Sequence, residues 1–244
     1  MTDTLIRVQG LTLAWGSRVL LRDASFEVER GDVFVILGGS GCGKSTLLRH
    51  LIGLEVPRLG SIEIAGVGAP ELDGRIPEYG VMFQGGALFS SLTVEENVAF
   101  ALHEWTELPP VAISAIVKAK LALVGLEGAE DRLPAELSGG MRKRAAIARA
   151  MAFEPNLLFL DEPSAGLDPV SAAELDELIG VLNRALGLTV VMVTHELSSI
   201  FQIGKNCIML DPESQSIIAR GDPRELARST PDPRVRRFFG REAR

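Results

Sequence analysis

Cysteine is scarce in this chain of 244 residues: Cys42 and Cys207 are the only two, and they lie outside any CxxC or Cys/His cluster. A disulfide framework and a thiolate zinc site are thereby excluded, and metal binding must use oxygen ligands. Long apolar runs are missing too. Although 46% of the residues are hydrophobic, no stretch approaches the ~18–20 residues that span a bilayer. The opening MTDTLIRVQG carries charges instead of an apolar segment, so no secretory signal is expected and the chain should stay in the cytoplasm. Positive charge is in deficit, with 25 Lys and Arg against 32 Asp and Glu and a formal net charge of −7. That balance provides no footprint for wrapping duplex nucleic acid. What remains is a globular composition, long enough for one large domain or two small ones with a sizeable core.

The hydrophobic pattern divides the chain. LIRVQGLTLAW and LLRDASFEVERGD, with Ala24, Phe26 and Val28 alternating, predict an antiparallel β entry. VFVIL at 33–37 is a continuous apolar run that stops at Gly38, the pattern of a central parallel strand buried on both faces. Leu47, Leu48, Leu51 and Ile52 follow helical spacing up to Gly53, so a helix begins near Lys44. SIEIAGVG at 61–68 and YGVMF at 79–83 predict two more strands, divided by a Pro/Gly/Asp-rich connection. From Thr93 to Ala152 the period is helical, with Ile113, Ile116, Val117, Leu121 and Val124 as one face and breaks at Leu108–Pro110 and Leu133–Pro134. LLFLD at 157–161 and TVVMVTH at 189–195 read as buried strands joined by a helix over 170–186, a βαβ crossover.

Two motifs carry phosphate chemistry. Gly38, Gly39, Ser40, Gly41, Cys42, Gly43, Lys44 and Ser45, followed by Thr46, fit GxxxxGK[ST] between a predicted buried strand and a predicted helix. Glycines let backbone N–H groups face phosphate, and the positive helix end reinforces them. Lys44 would reach the β- and γ-phosphates of a nucleotide, and Ser45 would hold Mg²⁺ through its hydroxyl. Cys42, at the helix start, is expected to form thiolate where solvent reaches it. The second motif is a strand ending in Asp161-Glu162. Adjacent carboxylates repel there unless metal and water use them: Asp161 would order the metal, and Glu162 would polarise a water attacking the γ-phosphate.

Leu137-Ser138-Gly139-Gly140-Met141 precedes a predicted helix, RKRAAIARAMA. By itself it fits an N-capped helix that offers a second anion site at Ser138, Gly139 and Gly140. With the other motifs it resembles the LSGGQ signature of ATP-binding-cassette ATPases, over residues 4 to about 225. The resemblance implies an α/β P-loop NTPase with a mainly parallel core sheet, an antiparallel β subdomain and a helical subdomain at about 90–152, followed by a basic tail at 226–244. It implies that two copies pair and that each signature closes over the ATP held by its partner. Trp15 matches the aromatic that stacks on adenine; a core tryptophan is the alternative. Gln84 matches the Q-loop residue that senses Mg²⁺ and the attacking water. Ser164-Ala165-Gly166-Leu167-Asp168 resembles the D-loop, and His195 the switch histidine at the γ-phosphate.

Met141 and Lys143 depart from the usual signature. With FQGGALFSSLTVEENVAF, HEWTELPP and DPRVRRF they resemble the Mla subfamily, which powers MCE-linked phospholipid transport. The implied setting is the cytoplasmic side of the inner membrane, with permease subunits, an MCE-domain protein and a small STAS-domain protein as partners. Another transport system, for amino acids or lipoproteins, is the runner-up, ahead of a non-transport cassette. Ala87, Leu88 and Phe89 are expected either near the permease or packed in the helical block. The tail, residues 220–244, holds eight arginines against four acids and includes Phe238-Phe239. Those rings need cover, from the chain's own cassette or from a second subunit.

Overall fold

The computed structural model describes residues 3–16, 18–70 and 78–240. The connection over 71–77 and the last four tail positions lie outside the described residues. In chain order the elements are β1 (Thr4–Trp15), β2 (Arg18–Glu29), β3 (Val33–Gly38), α1 (Lys44–Leu51), β4 (Leu59–Ile64), β5 (Gly80–Met82), α2 (Val94–Trp105), α3 (Pro110–Leu123), α4 (Gly139–Ala150), β6 (Leu157–Asp161), α5 (Pro169–Leu186), β7 (Thr189–Val193), α6 (Leu197–Ile203), β8 (Asn206–Asp211), β9 (Ser216–Gly221), α7 (Pro223–Ser229) and α8 (Pro233–Phe238).

Among the described residues these strands form a three-stranded antiparallel sheet, β2-β1-β4, and a six-stranded sheet, β5-β6-β7-β3-β8-β9. The larger sheet is parallel from β5 to β8, with β9 antiparallel at its edge. Its central strands read as unbroken apolar runs because each serves two cores. Val33, Val35 and Leu37 of β3 face the helices, while Phe34 and Ile36 face the small sheet and α1. Leu158 and Leu160 of β6 likewise alternate with Leu157 and Phe159.

The helical block is built as its period predicts. Thr93 caps α2 in a reciprocal box with Glu96, and Ile113, Val117, Leu121 and Val124 are buried, with Ile116 packed beside them. Strands β8 and β9 and helix α6 are additions that the sequence pattern did not reveal. The tail rings are covered by their own chain. Phe239 is buried, 5.6 Å from the Phe201 ring and 5.3 Å from the Phe238 ring. Arg234 ties the segment down through Asp211 at 2.9 Å and Asp232 at 2.7 Å. Residues 223–238 are thus two short helices on the cassette, and the partner subunit is not needed to shelter Phe239.

Beneath the end of β6, Asp176 on α5 is 1% exposed and neither carboxylate oxygen has a well-formed hydrogen bond among the described residues. Burial raises its pKa to about 6, against a weaker favourable pull from the Ser199 hydroxyl and a further upward push from Glu196. The folded value lies above the ordinary 3.8, so the native state holds the extra proton and stability falls as pH climbs through that window. Asp176→Asn should therefore raise the urea midpoint at about pH 7.5 and lose most of that advantage by about pH 4. An equal gain at both pH values would contradict a buried, titrating carboxyl. Separately, Phe239→Ala should cost about 3 kcal/mol in urea unfolding; a change below about 0.5 kcal/mol would mean that the ring is not part of the packed core.

Candidate active site

Strand register gathers the chemistry at one edge. Met82 of β5 pairs with Leu160, Asp161 with Val193, and Ile36 with Val193, so the segments leaving β5, β6, β7 and β3 emerge side by side. Ligand sites of open parallel sheets form at this carboxyl edge. From β3 the chain turns directly into α1. At Gly38, φ is 145°, and an added Cβ would meet Cys42 Sγ at 2.5 Å and the Leu210 carbonyl oxygen at 2.6 Å, so only glycine fits. The Lys44 ammonium donates to the carbonyls of Gly38 at 2.9 Å and Gly39 at 3.1 Å, drawing the loop around itself. Gly39, Ser40 and Gly41 are exposed, whereas Cys42 and Thr46 are buried. Trp15 is 64% exposed and lines one cleft of about 290 Å³ with Arg18, Gly41, Gly43, Lys44, Ser45 and Thr46. It is not a core tryptophan.

Ser45 Oγ lies 3.5 Å from Asp161 Oδ1, which joins the glycine loop to the end of β6. Burial, and then the Glu162 charge, push the Asp161 carboxyl above its ordinary range. Glu162 has φ +47°, a left-handed conformation that a side chain of this size rarely adopts. Its N–H is anchored on the Val193 carbonyl at 2.8 Å. Oε1 is 2.8 Å from His195 Nδ1, while buried Oε2 has no partner among the described residues. His195 keeps 58% of its side chain exposed, and its Nε2 is 3.6 Å from Glu196. Gln84 is exposed beyond β5, on the strand next to Glu162. The Asp161–Glu162 pair, Ser45, His195 and the Gln84 segment thus converge.

The signature does not join them. Ser138 caps α4, accepting from the Met141 N–H at 3.2 Å, and is exposed. With Gly140 it borders a second recess of about 370 Å³ that also takes in Arg144, Ser171 and Glu174. The cleft and the recess share no lining residue. Gly139 sits against the loop before α5, where an added Cβ would come 3.0 Å from Leu167. In that loop Ser164 Oγ is 3.1 Å from Ser199 Oγ, and Asp168 caps α5 through the N–H groups of Val170 and Ser171; the Ser171 side chain, and then these amides, hold its carboxyl below the usual range.

Two organising residues, Asn97 and Arg149, escaped the sequence reading, and a third, Lys143, was noted there only as a departure from the signature. Asn97, fully buried, accepts from the Phe89 N–H at 2.7 Å and reaches the carbonyls of Phe89, Leu92 and Thr93, which pins the segment after Gln84. Lys143 and Arg149 of α4 hold main-chain carbonyls of the same segment. A polar residue at a buried helical position is the signal that marks Asn97. Beside this segment lies an apolar groove of about 570 Å³, walled by Leu54, Phe83, Phe89, Phe100, Trp105 and Phe153. Of the expected trio, Phe89 faces this groove, Leu88 packs on the helical core, and Ala87 presents its carbonyl to Arg149.

A glycine-rich strand-to-helix turn tied through Ser45 to the Asp161–Glu162 pair suits the binding of a nucleotide's phosphates, and the protein falls in the class of P-loop ATPases. Within that class it belongs to the ABC transporter family, whose model matches residues 21–165. The chain is 42% identical to "Probable ribonucleotide transport ATP-binding protein mkl" of Mycobacterium tuberculosis, over 96% of its own length and 66% of that protein, so it spans just under two thirds of that relative. It is 40% identical to "Intermembrane phospholipid transport system ATP-binding protein MlaF" of Escherichia coli K12, over 96% of this chain and 88% of that one. Among solved structures, cbiO1 of Clostridium perfringens, part of the cbiONQ transporter complex, superposes with a TM-score of 0.83 at 31% identity, covering 92% of this chain and 90% of that one. The cassette MJ0796, solved as a dimer bound to ADP and Pi, gives 0.78 at 28% identity, covering 89% and 98%. Among the described residues no helix is long and apolar enough to cross a membrane.

Both thiols are inside. Cys42 is 1% exposed and burial pushes its pKa up, while Cys207 is pushed up to about 12. The condition attached to a reactive thiolate at Cys42, access to solvent, is not met in this structure. Ellman's reagent should find no fast thiol in the native protein and two after denaturation. A fast native thiol that disappears in Cys42→Ala would show that the glycine loop opens to solvent.

Proposed function

We propose that this chain is the ATP-hydrolysing subunit of a membrane phospholipid transporter and that it works as a pair of identical copies on the cytoplasmic face of the inner membrane. The observation that carries the pairing is the division of the anion sites into a cleft and a recess with no shared residue. In a symmetric pair, Trp15 and the loop 38–46 of one copy hold the nucleotide, and Ser138, Gly139 and Gly140 of the other cover its γ-phosphate. Lys44 then turns from the loop carbonyls to the β- and γ-phosphates. Ser45, Asp161 and Gln84 are the oxygen donors suited to Mg²⁺, which needs few protein ligands when phosphate and water supply the rest and which neutralises the phosphate charge. Glu162 Oε2, without a hydrogen-bond partner among the described residues, is the carboxylate oxygen suited to take a proton from the attacking water, and His195 orients the other oxygen and faces the γ-phosphate.

The phospholipid assignment rests on the near-full-length likeness to MlaF together with the Met141 and Lys143 departures. On this reading the aromatic groove receives an apolar element of the permease. An MCE-domain protein and a small STAS-domain protein complete the assembly, and no nucleic acid is involved. The likeness to mkl favours a second reading, ribonucleotide transport. ATPase assays of the assembled complex separate the two: stimulation by phospholipid vesicles and copurified phospholipid in mass spectra support the first, and stimulation by ribonucleoside monophosphates alone supports the second.

Glu162→Gln should lower ATP turnover by at least about 100-fold and leave ATP binding in place. Lys44→Ala should instead weaken ATP binding by about tenfold or more, through loss of the charge at the phosphates. Fluorescent-nucleotide titration beside steady-state turnover checks both, and near-parental turnover in Glu162→Gln would remove that residue from the reaction. Phe100→Glu should release the chain from the permease in copurification; full retention would place the membrane contact elsewhere.

A further inference from the structure

Lys143 has no part in the chemistry above, yet it is a cation placed 7% exposed inside the protein. Its position on α4 is one turn beyond the signature glycines, among Ala145, Ala146 and Ile147, which are wholly buried. Water removed from an ammonium must be replaced by hydrogen bonds, and an apolar residue fills such a place at less cost when packing is all that is needed. The replacement here is specific. Lys143 Nζ donates to the main-chain carbonyl of Gln84 and, at 3.1 Å, to that of Glu162. Burial drives the ammonium toward its neutral form, and the nearby Glu162 and Asp161 charges oppose that drift.

The two carbonyls belong to residues on neighbouring strand ends, 59 and 19 positions away along the chain. Arg149, on the same helix, grips the Gln84 segment a second time through Gly86 at 2.9 Å and Ala87. Of these two cations Lys143 alone also reaches Glu162, whose left-handed backbone needs support from its surroundings. We infer that Lys143 is a positioning residue for ATP hydrolysis: its ammonium, clamped on the carbonyls of Gln84 and Glu162, fixes the spacing of those two groups and makes them move with the signature helix. The inference rests on the hydrolytic roles given to Gln84 and Glu162 and is independent of what is transported.

A positioning role predicts a division that general destabilisation does not. Lys143→Met should lower kcat about tenfold or more and leave the KM for ATP within about twofold. Lys143→Arg, which keeps the charge and several donors, should recover more than half of the parental kcat. Hydrogen–deuterium exchange gives a readout apart from turnover: amides over 83–88 should exchange faster in Lys143→Met, and those over 38–46 should be unchanged. Where Lys143→Met does not fold, Lys143→Gln carries the test, with a kcat about threefold or more below parental at unchanged KM. A parental kcat in the folded methionine or glutamine variant, or a parallel rise in KM and in exchange over 38–46, overturns the inference. Should Glu162→Gln itself turn over normally, the underlying assignment of roles has failed, and the exchange pattern alone then decides whether Lys143 holds the two segments together.

Discussion

The parallel ladder β5-β6-β7-β3-β8 fixes where four chain segments leave the sheet, and the groups that end or follow β3, β5, β6 and β7 inherit their positions from it. Parallel ladders place successive strand ends about 4.8 Å apart, close enough for the side chains that follow them to share one ligand. Asp161 and Glu162 follow β6, His195 follows β7, the glycine loop follows β3 and Gln84 follows β5. Shifting any of these strands by one residue would send its apolar side chains to the opposite core and its terminal group away from the others. The two cores thus hold the chemistry in register as a by-product of packing.

Electrostatics at this edge is unfavourable by construction. Asp161 and Glu162 are adjacent acids, the first half-buried and the second buried, and burial pushes Asp161 toward its neutral form. Lys44 of α1 and Lys143 of α4 are cations set against Asp161 from two different elements, and the His195 ring meets Glu162 Oε1. The left-handed backbone of Glu162 and its Oε2, unpartnered among the described residues, concentrate strain and unsatisfied polarity on one residue.

Contiguous motifs were legible in the sequence because their physics is local. The glycine loop is a turn between two adjacent elements, the Asp-Glu pair ends one strand, and the Ser138 cap belongs to one helix. The double-sided burial of β3, β6 and β7 was legible for the same reason. The contacts of Lys143, the role of Asn97 and the groove were not, since each is defined by partners brought together only by tertiary packing. Leu54, Phe83, Phe100 and Phe153 come from separate parts of the chain, and no periodicity connects them. NCIMLD begins polar and is short, which hid β8, although it borders the central strand. The tail showed its need for cover in Phe238-Phe239 but not the identity of the cover, Phe201, which lies 38 residues before Phe239.

The separation of the cleft from the recess has a kinetic corollary. If each catalytic unit draws one half from either copy, its formation is second order in this chain, and a dilute solution holds mostly idle halves. Doubling a small amount of protein then quadruples the number of working sites. Attachment of two copies to one scaffold replaces bulk concentration by a local one and makes turnover first order in complexes. A cell can therefore keep unassembled copies in the presence of ATP with little futile consumption, because tethering, rather than nucleotide supply, decides when the halves meet.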